Sequence, residues 1–278
     1  MKEGIVSILG CGWLGVSLGK HLLSQRFSVK GSVTSTEKFN KLRTNGIIPY
    51  QIVLTESEVK GDDPSFFETD VLIISIPPRR IDGIERIFPA QIAQLIPIIL
   101  KSEIRKVIFI SSTSVYPDNM RTAHETDVLY PDKASGKALV QAEKLLRNQT
   151  DFQTTIIRFG GLIGADRNPA RFLQRSDRIV ANTPVNLIHQ DDCIGIISAI
   201  LAKNLWGETL NACCPVHPLK KDFYFKAAQI SGLPIPLISE QDEAYKIVDS
   251  SKLQRLLKYE FKYLSPLDYL NSMDLKQK

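Results

Sequence analysis

The segment GIVSILGCGWLG at residues 4–15 constrains the fold of this chain more than any other segment. A short β-rich run is followed by Gly10, Gly12 and Gly15 in the spacing GxGxxG, and a helical pattern begins directly after them. In such a loop the first glycine permits a tight turn, the second lets the backbone approach a pyrophosphate, and the third lets helix and strand pack closely. The helix N-terminus then presents free N–H groups to the phosphates. The sequence therefore predicts a dinucleotide-binding loop, with a glycine-rich turn that holds no ligand as the alternative.

The rest of the chain alternates apolar strands with helical patterns. Continuous apolar runs over residues 70–78 and 106–116 are typical of strands buried on both faces, and residues 133–146 have a helical spacing of apolar side chains. This alternation predicts an α/β fold, a Rossmann-type doubly wound parallel sheet with right-handed crossovers over residues 1–165. The pattern then loosens, so residues 166–278 are predicted to form mostly a small C-terminal substrate lobe, with some segments returning to the sheet domain.

Other segments carry further helix predictions. Thr36 is predicted to cap a helix that ends at Gly46, and the segment IFPAQIAQLIPIILKS is predicted to be helical with a kink at Pro97. In the C-terminal part of the chain, helices are predicted over residues 194–204, 223–232 and 250–257.

Composition and spacing argue against several classes of function. The 278 residues are 43% hydrophobic and 23% charged, with a formal net charge of +5, as in an ordinary soluble globular protein. The basic residues are scattered, which argues against a nucleic-acid partner and slightly favours a small anionic ligand. No apolar stretch approaches the roughly 18 residues of a membrane span. The four cysteines form no CxxC motif and no His/Cys cluster, so we expect no metal site and reduced thiols in a cytoplasmic protein.

The end of the second predicted strand indicates which dinucleotide the loop would hold. NAD-binding folds usually place Asp or Glu there, where it binds the ribose 2′-OH. In this chain the strand ends near Val33 without a carboxylate, and Thr34, Ser35 and Lys38 follow. These groups suit a 2′-phosphate, so NADP is predicted in preference to NAD. Glu37 in the acidic role is the alternative that would favour NAD.

Four segments, in this order along the chain, resemble the extended short-chain dehydrogenase/reductase superfamily. They are GCGWLG near residue 10, ISSTSVYP at 110–117, IIRFGGLIG at 156–164 and NLIHQDD at 186–192. The C-terminal KLQRLLKYEF also resembles the closing helix and loop of that superfamily. The chain is most similar to its atypical members, which are related to nucleotide-sugar epimerases and dehydratases. The resemblance implies a Rossmann-type sheet that binds NAD(P), a sugar-nucleotide or other small anionic substrate, and pairing of two copies through helices of the sheet domain.

The resemblance also implies roles for individual residues. Ser112 matches the catalytic Ser/Thr that hydrogen-bonds a substrate hydroxyl or carbonyl, and His189 and Asp192 match a motif at the lobe junction, where a structural role is favoured for the histidine. The complete set of predicted cofactor contacts is Gly10, Gly12, Trp13, Leu14, Gly15, Thr34, Ser35, Lys38, Ile76, Pro77, Ser111, Gly160, Gly161 and Leu162.

The acid-base pair of the superfamily is missing from this chain. Reductive chemistry in this superfamily normally uses a tyrosine whose phenol is acidified by a lysine one helical turn later. Alignment on the segment Gln141–Glu143 places Ser135 at the tyrosine position and Leu139 at the lysine position. Ser135 therefore stays a weak catalytic candidate beside Tyr116, which follows the Ser112 strand. Further candidates for the missing acid, supported only by position, are Tyr130, Lys133, His124 and Glu125.

Residues after the sixth predicted strand are candidates for contact with the substrate. Arg167 and Arg171 would clamp a phosphate or carboxylate bidentately, with a solvated helix start as an equally weighted alternative. His189 completes the predicted substrate set. Two hypotheses follow for the whole chain: an NADP-dependent oxidoreductase or epimerase-like enzyme, and a non-catalytic dinucleotide-binding redox sensor or partner-binding module. A non-redox isomerase or lyase that uses another acid is a third alternative.

Overall fold

The computed structural model describes residues 4–61, 63–170, 172, 178–235, 237–239, 241 and 243–274. The strands are β1 (Ile5–Leu9), β2 (Ser28–Val33), β3 (Ile48–Leu54), β4 (Val59–Gly61), β5 (Val71–Ile74), β6 (Lys106–Ser112), β7 (Arg121–Ala123), β8 (Gln153–Phe159), β9 (Gly161–Ile163), β10 (Arg178–Val180), β11 (Leu187–His189), β12 (Thr209–Ala212), β13 (Leu237–Ser239) and β14 (Lys246–Val248). The helices are α1 (Trp13–Ser24), α2 (Phe39–Arg43), α3 (Ile84–Ala93), α4 (Leu95–Lys101), α5 (Ala134–Arg147), α6 (Gln190–Lys203), α7 (Lys220–Ser231), α8 (Ser251–Leu257) and α9 (Pro266–Asp274).

Eight strands form the central sheet, in the order β12-β8-β6-β5-β1-β2-β3-β4. The pairs β1–β2, β1–β5, β2–β3 and β5–β6 are parallel, and only the edge pair β3–β4 is recorded as antiparallel among the described strands. From β1 the chain proceeds to β2 and β3 on one side, and then crosses to β5 and β6 on the other. This reversal beside β1 is the topological switch point of a doubly wound sheet. The predicted Rossmann-type α/β fold is confirmed.

The inner strands are apolar because both of their faces are covered. Each residue of β5 is buried, and the apolar residues Val107, Ile108 and Phe109 of β6 are fully buried. Full burial of a side chain of this size contributes about 1.5–3 kcal/mol to stability. The continuous apolar runs that the sequence shows at these strands are thus explained by helices on both faces of a parallel sheet.

Contacts divide the chain into two compact units, each of which is discontinuous in sequence. The first unit comprises Met1–Val115, Leu129–Arg158 and Ile200–Thr209, and the second comprises Tyr116–Val128, Phe159–Ala199 and Leu210–Lys278. The second unit contains three two-stranded parallel sheets, β9–β11, β10–β13 and β7–β14. Its core includes Ile163, Phe223 and Leu270. The predicted division at residue 165 stays a prediction.

Most predicted helices are present, and two details differ from the predictions. The segment that contains Pro97 forms two helices, α3 and α4, which meet at Gln94. Because Pro97 has no N–H, it cannot donate to the carbonyl of Ala93, and the continuous helix is interrupted there. Ser35, not Thr36, precedes the short 3₁₀ turn before α2, and its side chain makes no capping hydrogen bond. Within the described part of the chain, no helix combines the length and apolar character needed to cross a membrane.

Candidate functional site

The three glycines of the loop after β1 have different local surroundings. Gly10 has φ +98°, and a Cβ atom there would lie 2.6 Å from Ile76 Cγ2 and 2.8 Å from the carbonyl oxygen of Ser75. A Cβ atom at Gly15 would lie 2.8 Å from the carbonyl oxygen of Gly10. Apart from its two chain neighbours, no described residue has an atom within 4 Å of a Cβ built on Gly12. Gly10 and Gly15 are therefore required by the fold itself, whereas Gly12 leaves an open cradle over the start of α1.

A serine on β2 holds this loop in place. The Gly10 N–H donates to Ser32 Oγ at 3.0 Å, and the Cys11 N–H donates to the Ser32 carbonyl oxygen at 2.8 Å. Ser32 was missed by the sequence analysis, although a small polar residue on a buried strand beside a glycine loop is a recognisable signal. Of the two loop residues at the start of α1, Trp13 is half-buried and Leu14 is buried. The side chain of Leu14 belongs to the core, so only its backbone is suited to a ligand.

The carboxyl end of β2 has the composition that the sequence predicted. Thr34 and Lys38 are exposed there and Ser35 is half-buried, while no carboxylate occupies the strand end. Glu37 is exposed within the 3₁₀ turn Thr36–Lys38. With its open glycine cradle, the loop fits the pyrophosphate of a dinucleotide, and the β2 end offers hydroxyl and ammonium donors to the adenosine ribose.

Ser112 and Ser135 are on neighbouring segments of the first unit. Ser112 ends β6 half-buried, and its Oγ accepts from the Ser114 N–H at 3.1 Å. Helix α5 begins against this turn so closely that a Cβ atom on Gly136 would overlap the carbonyl oxygen of Ser114. Gly136 thus lets the first turn of α5, with the half-buried Ser135, approach the end of β6. Leu139, at the position of the superfamily's lysine, is only 4% exposed and belongs to the core.

A buried ion pair anchors α5 to the sheet. Glu143 on α5 accepts from Arg158 on β8, with Nη2–Oε2 at 2.6 Å and Nε at 3.1 and 3.2 Å from the two carboxylate oxygens. The Ser111 hydroxyl on β6 donates to Glu143 Oε1 at 2.6 Å. Ser111 was predicted as a cofactor contact, but its hydroxyl faces this interior network. Sequence reasoning missed both charged residues of the pair, because their partnership depends on tertiary contact.

In the second unit, Tyr116 is 2% exposed and its hydroxyl is engaged. It donates to Asn211 Oδ1 at 2.7 Å, while Asn211 Nδ2 donates to the Ala123 carbonyl and the Asn211 N–H donates to Glu125 Oε1. These bonds fix the orientation of the amide and hold the phenol as a donor inside the protein. A structural role for Tyr116 is therefore better supported than its candidate role as a proton donor.

Of the predicted turn Gly160–Gly161–Leu162, only Gly160 lies between β8 and β9, while Gly161 and Leu162 begin strand β9. The Gly160 N–H donates to the Ala212 carbonyl at 3.0 Å, and the Gly161 N–H donates to the Asn186 carbonyl at 2.8 Å. A Cβ atom on Gly160 would lie 2.5 Å from Cys213 Sγ, and one on Gly161 would lie 2.6 Å from Leu187 Cδ2. Both glycines are thus explained by close packing within the second unit, and Leu162 is half-buried beside them.

His189 precedes α6 and is buried against two tyrosine rings. Its ring centroid lies 4.5 Å from that of Tyr263 and 4.4 Å from that of Tyr269. Its Nδ1 accepts from the Asp191 N–H at 3.1 Å, which satisfies an N–H of the first turn of α6. Burial lowers the pKa of His189 to about 4, against a smaller opposite effect of the Asp191 carboxylate, so the ring is neutral at pH 7. The structural reading of His189 is the one that these contacts support.

Asp192, in the first turn of α6, accepts hydrogen bonds from the C-terminal segment. Its Oδ1 accepts from Tyr259 OH at 3.0 Å and from the Lys262 N–H at 2.7 Å, and its Oδ2 accepts from the Tyr263 N–H at 3.3 Å. Burial raises the pKa of Asp192, which these hydrogen bonds oppose. His189 and Asp192 of the NLIHQDD motif thus bind the C-terminal segment to the start of α6 within the second unit.

The remaining predicted residues are dispersed. Arg167 is exposed. The neighbouring Asn168 makes a hydrogen bond inside the protein, in which its Nδ2 donates to Ser231 Oγ at 3.0 Å. Arg171 lies outside the described residues. Pro77 is exposed directly after Ile76. Of the further acid candidates, Tyr130 and Lys133 are exposed, Glu125 is bonded to Asn211, and the Nδ1 of His124 lies 3.8 Å from Asp249 Oδ1.

The cysteines are not suited to nucleophilic chemistry. All four are free and buried, and burial raises the pKa of Cys11 and that of Cys214 to about 12. A thiol with a raised pKa is protonated at neutral pH and is a poor nucleophile. Among the residues that the structure describes, no cluster of three or more His, Cys, Asp or Glu side chains is arranged to hold a metal ion.

A cavity of about 610 Å³ lies at the amino ends of the strands β1 and β5. Ile5 at the start of β1 and Asp70 just before β5 line it, together with Ile98 of α4. The Asp70 carboxylate accepts from the Ile5 N–H at 2.7 Å and so serves the fold. Because ligands of open α/β sheets bind outside the carboxyl ends of the strands, this cavity at the amino ends is not the candidate site.

A glycine loop at the switch point, with a serine at the end of β6 two strands away, defines the Rossmann-type architecture of the extended short-chain dehydrogenase/reductase superfamily. Protein YeeZ from Escherichia coli K12 is 32% identical over 266 residues, which cover 94% of this chain and 97% of that protein. The chain therefore belongs to the family of protein YeeZ. No protein-family model matches the chain.

Solved structures of low identity share the fold. A short-chain dehydrogenase/reductase superfamily protein from Agrobacterium tumefaciens with bound NAD has a TM-score of 0.77 at 16% identity and covers 98% of this chain and 97% of its own. UDP-glucuronic acid 4-epimerase from Bacillus cereus, in complex with UDP-glucuronic acid and NAD, has a TM-score of 0.78 at 20% identity, with 98% and 99% covered. A functionally unknown conserved protein from Silicibacter pomeroyi has a TM-score of 0.78 at 23% identity, again with 98% and 99% covered.

Proposed function

We propose that this protein binds NADP and acts as an oxidoreductase or epimerase-like enzyme on a sugar nucleotide or another small anionic substrate. The observation that carries the proposal is the difference among the three loop glycines. Packing alone accounts for Gly10 and Gly15, whereas no atom of the described residues, other than those of its two chain neighbours, lies within 4 Å of a Cβ on Gly12. A residue without a side chain at an open position over a helix N-terminus is what close approach by a pyrophosphate requires. Similar folds have been solved with NAD and with UDP-sugars, which is consistent with this proposal.

The preference for NADP is supported by the end of β2. Thr34, Ser35 and Lys38 provide two hydroxyl groups and an ammonium group there, and a 2′-phosphate would be attracted by the ammonium charge. A carboxylate at the strand end, as in NAD-binding folds, would repel it.

The chemistry would rest on a reduced set of groups. The bound nicotinamide supplies or accepts a hydride. Ser112 is positioned at the end of β6 to hydrogen-bond a substrate hydroxyl or carbonyl, and Ser135 stands nearby on the first turn of α5. Since a serine hydroxyl is far less acidic than a phenol and Leu139 is buried, the chain provides no acidified donor at the usual position. A proton taken up or released at the substrate would then have to come from another group or from solvent.

The second candidate function is a non-catalytic NAD(P)-binding redox sensor or partner-binding module. The observation that favours it is the burial of Leu139, because a core leucine in place of the lysine leaves nothing to acidify a donor on α5. Turnover of NADPH across a panel of carbonyl compounds and UDP-sugars separates the two functions. Tight NADPH binding without any turnover would support the sensor.

Cofactor binding itself is tested with two matched alanine substitutions. Titration by NADPH fluorescence should give tight binding to the wild-type protein and weaker binding of NADH. Gly12→Ala should leave thermal stability unchanged but weaken NADPH binding by roughly tenfold or more, about 1.4 kcal/mol. Gly15→Ala should lower stability by about 1–3 kcal/mol, because its Cβ would press on the Gly10 carbonyl. Unchanged NADPH affinity in Gly12→Ala would argue against a cofactor at this loop, and tighter binding of NADH would contradict the NADP preference.

A further inference from the structure

The segment that leaves β5 runs directly beside the glycine loop. The Ser75 N–H donates to the Leu9 carbonyl at 2.8 Å, and Ile76 fills the space that a side chain on Gly10 would need. Pro77 and Pro78 follow, and then two arginines, Arg79 and Arg80. At about 3.3–3.6 Å per residue, an extended chain carries Arg79 no more than roughly 11 Å from Ile76. The arginines therefore stand next to the candidate cofactor loop.

The two guanidinium groups are exposed and are not neutralised within the fold. Across the described part of the chain, no carboxylate forms a salt bridge with Arg79 or Arg80. The same loop and the start of α3 contain Asp82, Glu85 and Arg86, and within the described residues no salt bridge joins Asp82 or Glu85 to either arginine. The two prolines before them fix their own φ angles, which limits the freedom of the backbone that presents the arginines. Two adjacent guanidinium groups on such a support are suited to bidentate binding of an oxyanion.

Sheet topology indicates which anion these arginines face. In the order β6-β5-β1-β2, strand β1 separates the end of β5 from the end of β2, where Thr34 and Lys38 lie. The arginines therefore stand on the side of β1 away from the proposed 2′-phosphate site. On their own side the next strand is β6, which ends at Ser112. The glycine loop, the arginine pair and Ser112 thus lie at the carboxyl ends of three adjacent strands, β1, β5 and β6.

We propose that Arg79 and Arg80 form an anion-binding element for the acidic group of the substrate, a phosphate or a carboxylate, placed between the cofactor loop and Ser112. This inference rests on the proposed function, since it assigns a substrate contact. The proposal gives the substrate an oxyanion near the reacting end of the cofactor.

Binding of simple oxyanions tests the element. The wild-type protein, alone and saturated with NADPH, is titrated by calorimetry with inorganic pyrophosphate and with malonate, which distinguish a phosphate from a carboxylate ligand. At least one probe is expected to bind in the millimolar range, and Arg79→Gln/Arg80→Gln should weaken that binding at least tenfold. The control Lys144→Gln/Arg147→Gln removes the same charge from exposed positions of α5 and should change it less than twofold. Arg79→Lys/Arg80→Lys keeps the charge but not the bidentate geometry, and an intermediate loss is expected.

The alternative outcomes each exclude the proposal. If neither probe binds the wild-type protein, or if the glutamine variant binds as well as the control variant, the arginines do not recognise an oxyanion. If the glutamine variant weakens NADPH and NADH equally, the pair holds the pyrophosphate of the cofactor and not a substrate. NADPH titration of the wild-type protein is read separately, so a missing cofactor site is distinguished from a missing anion site. Because both arginines are exposed, the variants are expected to fold, and circular dichroism checks this.

Discussion

The ion pair of Glu143 and Arg158 allows a quantitative test of how the site is held. The two side chains are 3% and 2% exposed, and their closest contact is 2.6 Å. Glu143→Gln keeps the shape of the side chain but removes its charge, which leaves a buried guanidinium without a counter-charge. Breaking a buried ion pair in this way costs about 3–5 kcal/mol. Since the glutamine carbonyl can still accept from Ser111 and Arg158, the cost should lie near the lower end, at about 3 kcal/mol.

Equilibrium urea unfolding and a thermal melt measure this loss. For a chain of this size about 3 kcal/mol corresponds to a fall in Tm of roughly 6–12 °C. Glu103→Gln is the matched control, because the Glu103 side chain is 98% exposed and its loss should change stability by no more than about 0.5 kcal/mol. Glu143→Met/Arg158→Met removes both charges and should recover more than half of the loss, since the main penalty is the uncompensated charge.

A loss below about 1 kcal/mol in Glu143→Gln would refute this reasoning, because it would mean that Arg158 finds water or another partner without cost. A double variant as unstable as the single one would equally show that the penalty comes from packing and not from charge. If the reasoning holds, the pair is the anchor that keeps α5, and with it Ser135, against the end of β6.

Three further predictions follow from the described contacts. The pKa of His189 is lowered from 6.5 to about 4, so between these pH values the unfolded chain binds a proton that the folded protein excludes. The free energy of unfolding should therefore fall as the pH drops from 6.5 to 4. Thermal melts across this range should show a flatter pH dependence for His189→Asn, whose side chain keeps an N-cap acceptor. The raised pKa of Asp192 acts in the opposite direction in both proteins. Tyr116→Phe should cost about 1–3 kcal/mol in urea unfolding, because Asn211 Oδ1 loses a buried donor, while NADPH affinity measured by fluorescence stays within twofold; a large loss of affinity would return Tyr116 to the site. Lys38→Glu should weaken NADPH binding at least tenfold and leave NADH binding nearly unchanged in parallel titrations, and equal loss of both would place Lys38 away from the 2′-phosphate.

Much of the first unit was predictable, because its signals are local. The glycine spacing, the apolar runs of β5 and β6 and the amphipathic α5 each extend over enough residues to have a period or a pattern. The small strands of the second unit are different. β7, β10 and β14 have three residues each, too few to show alternation, and they exist as strands only because a distant segment lies alongside.

The predicted site residues divide along the same line. Gly10, Gly12 and Gly15 were recognised from spacing, but only their surroundings show that Gly10 and Gly15 are closely packed and that Gly12 is open. Ser32 went unrecognised because its hydrogen bond to Gly10 spans 22 positions along the chain. His189 of the NLIHQDD motif was placed in the substrate set although a structural role was favoured for it, and its ring contacts with Tyr263 and Tyr269, remote in sequence, support the structural role.

The sequence by itself determined the class of fold, the place of the glycine loop and the absence of a Tyr–Lys pair at Ser135 and Leu139, because these are properties of residue type and spacing that folding does not alter. Tertiary structure decided which of the remaining polar groups are available for chemistry. Ser111, Tyr116 and His189 are buried and hydrogen-bonded in the interior, while Ser112 and Ser135 are half-buried and Arg79 and Arg80 are exposed. The physical reason is that a side chain's hydrogen-bonding partners, and hence its freedom to meet a ligand, are set by residues far away in the chain.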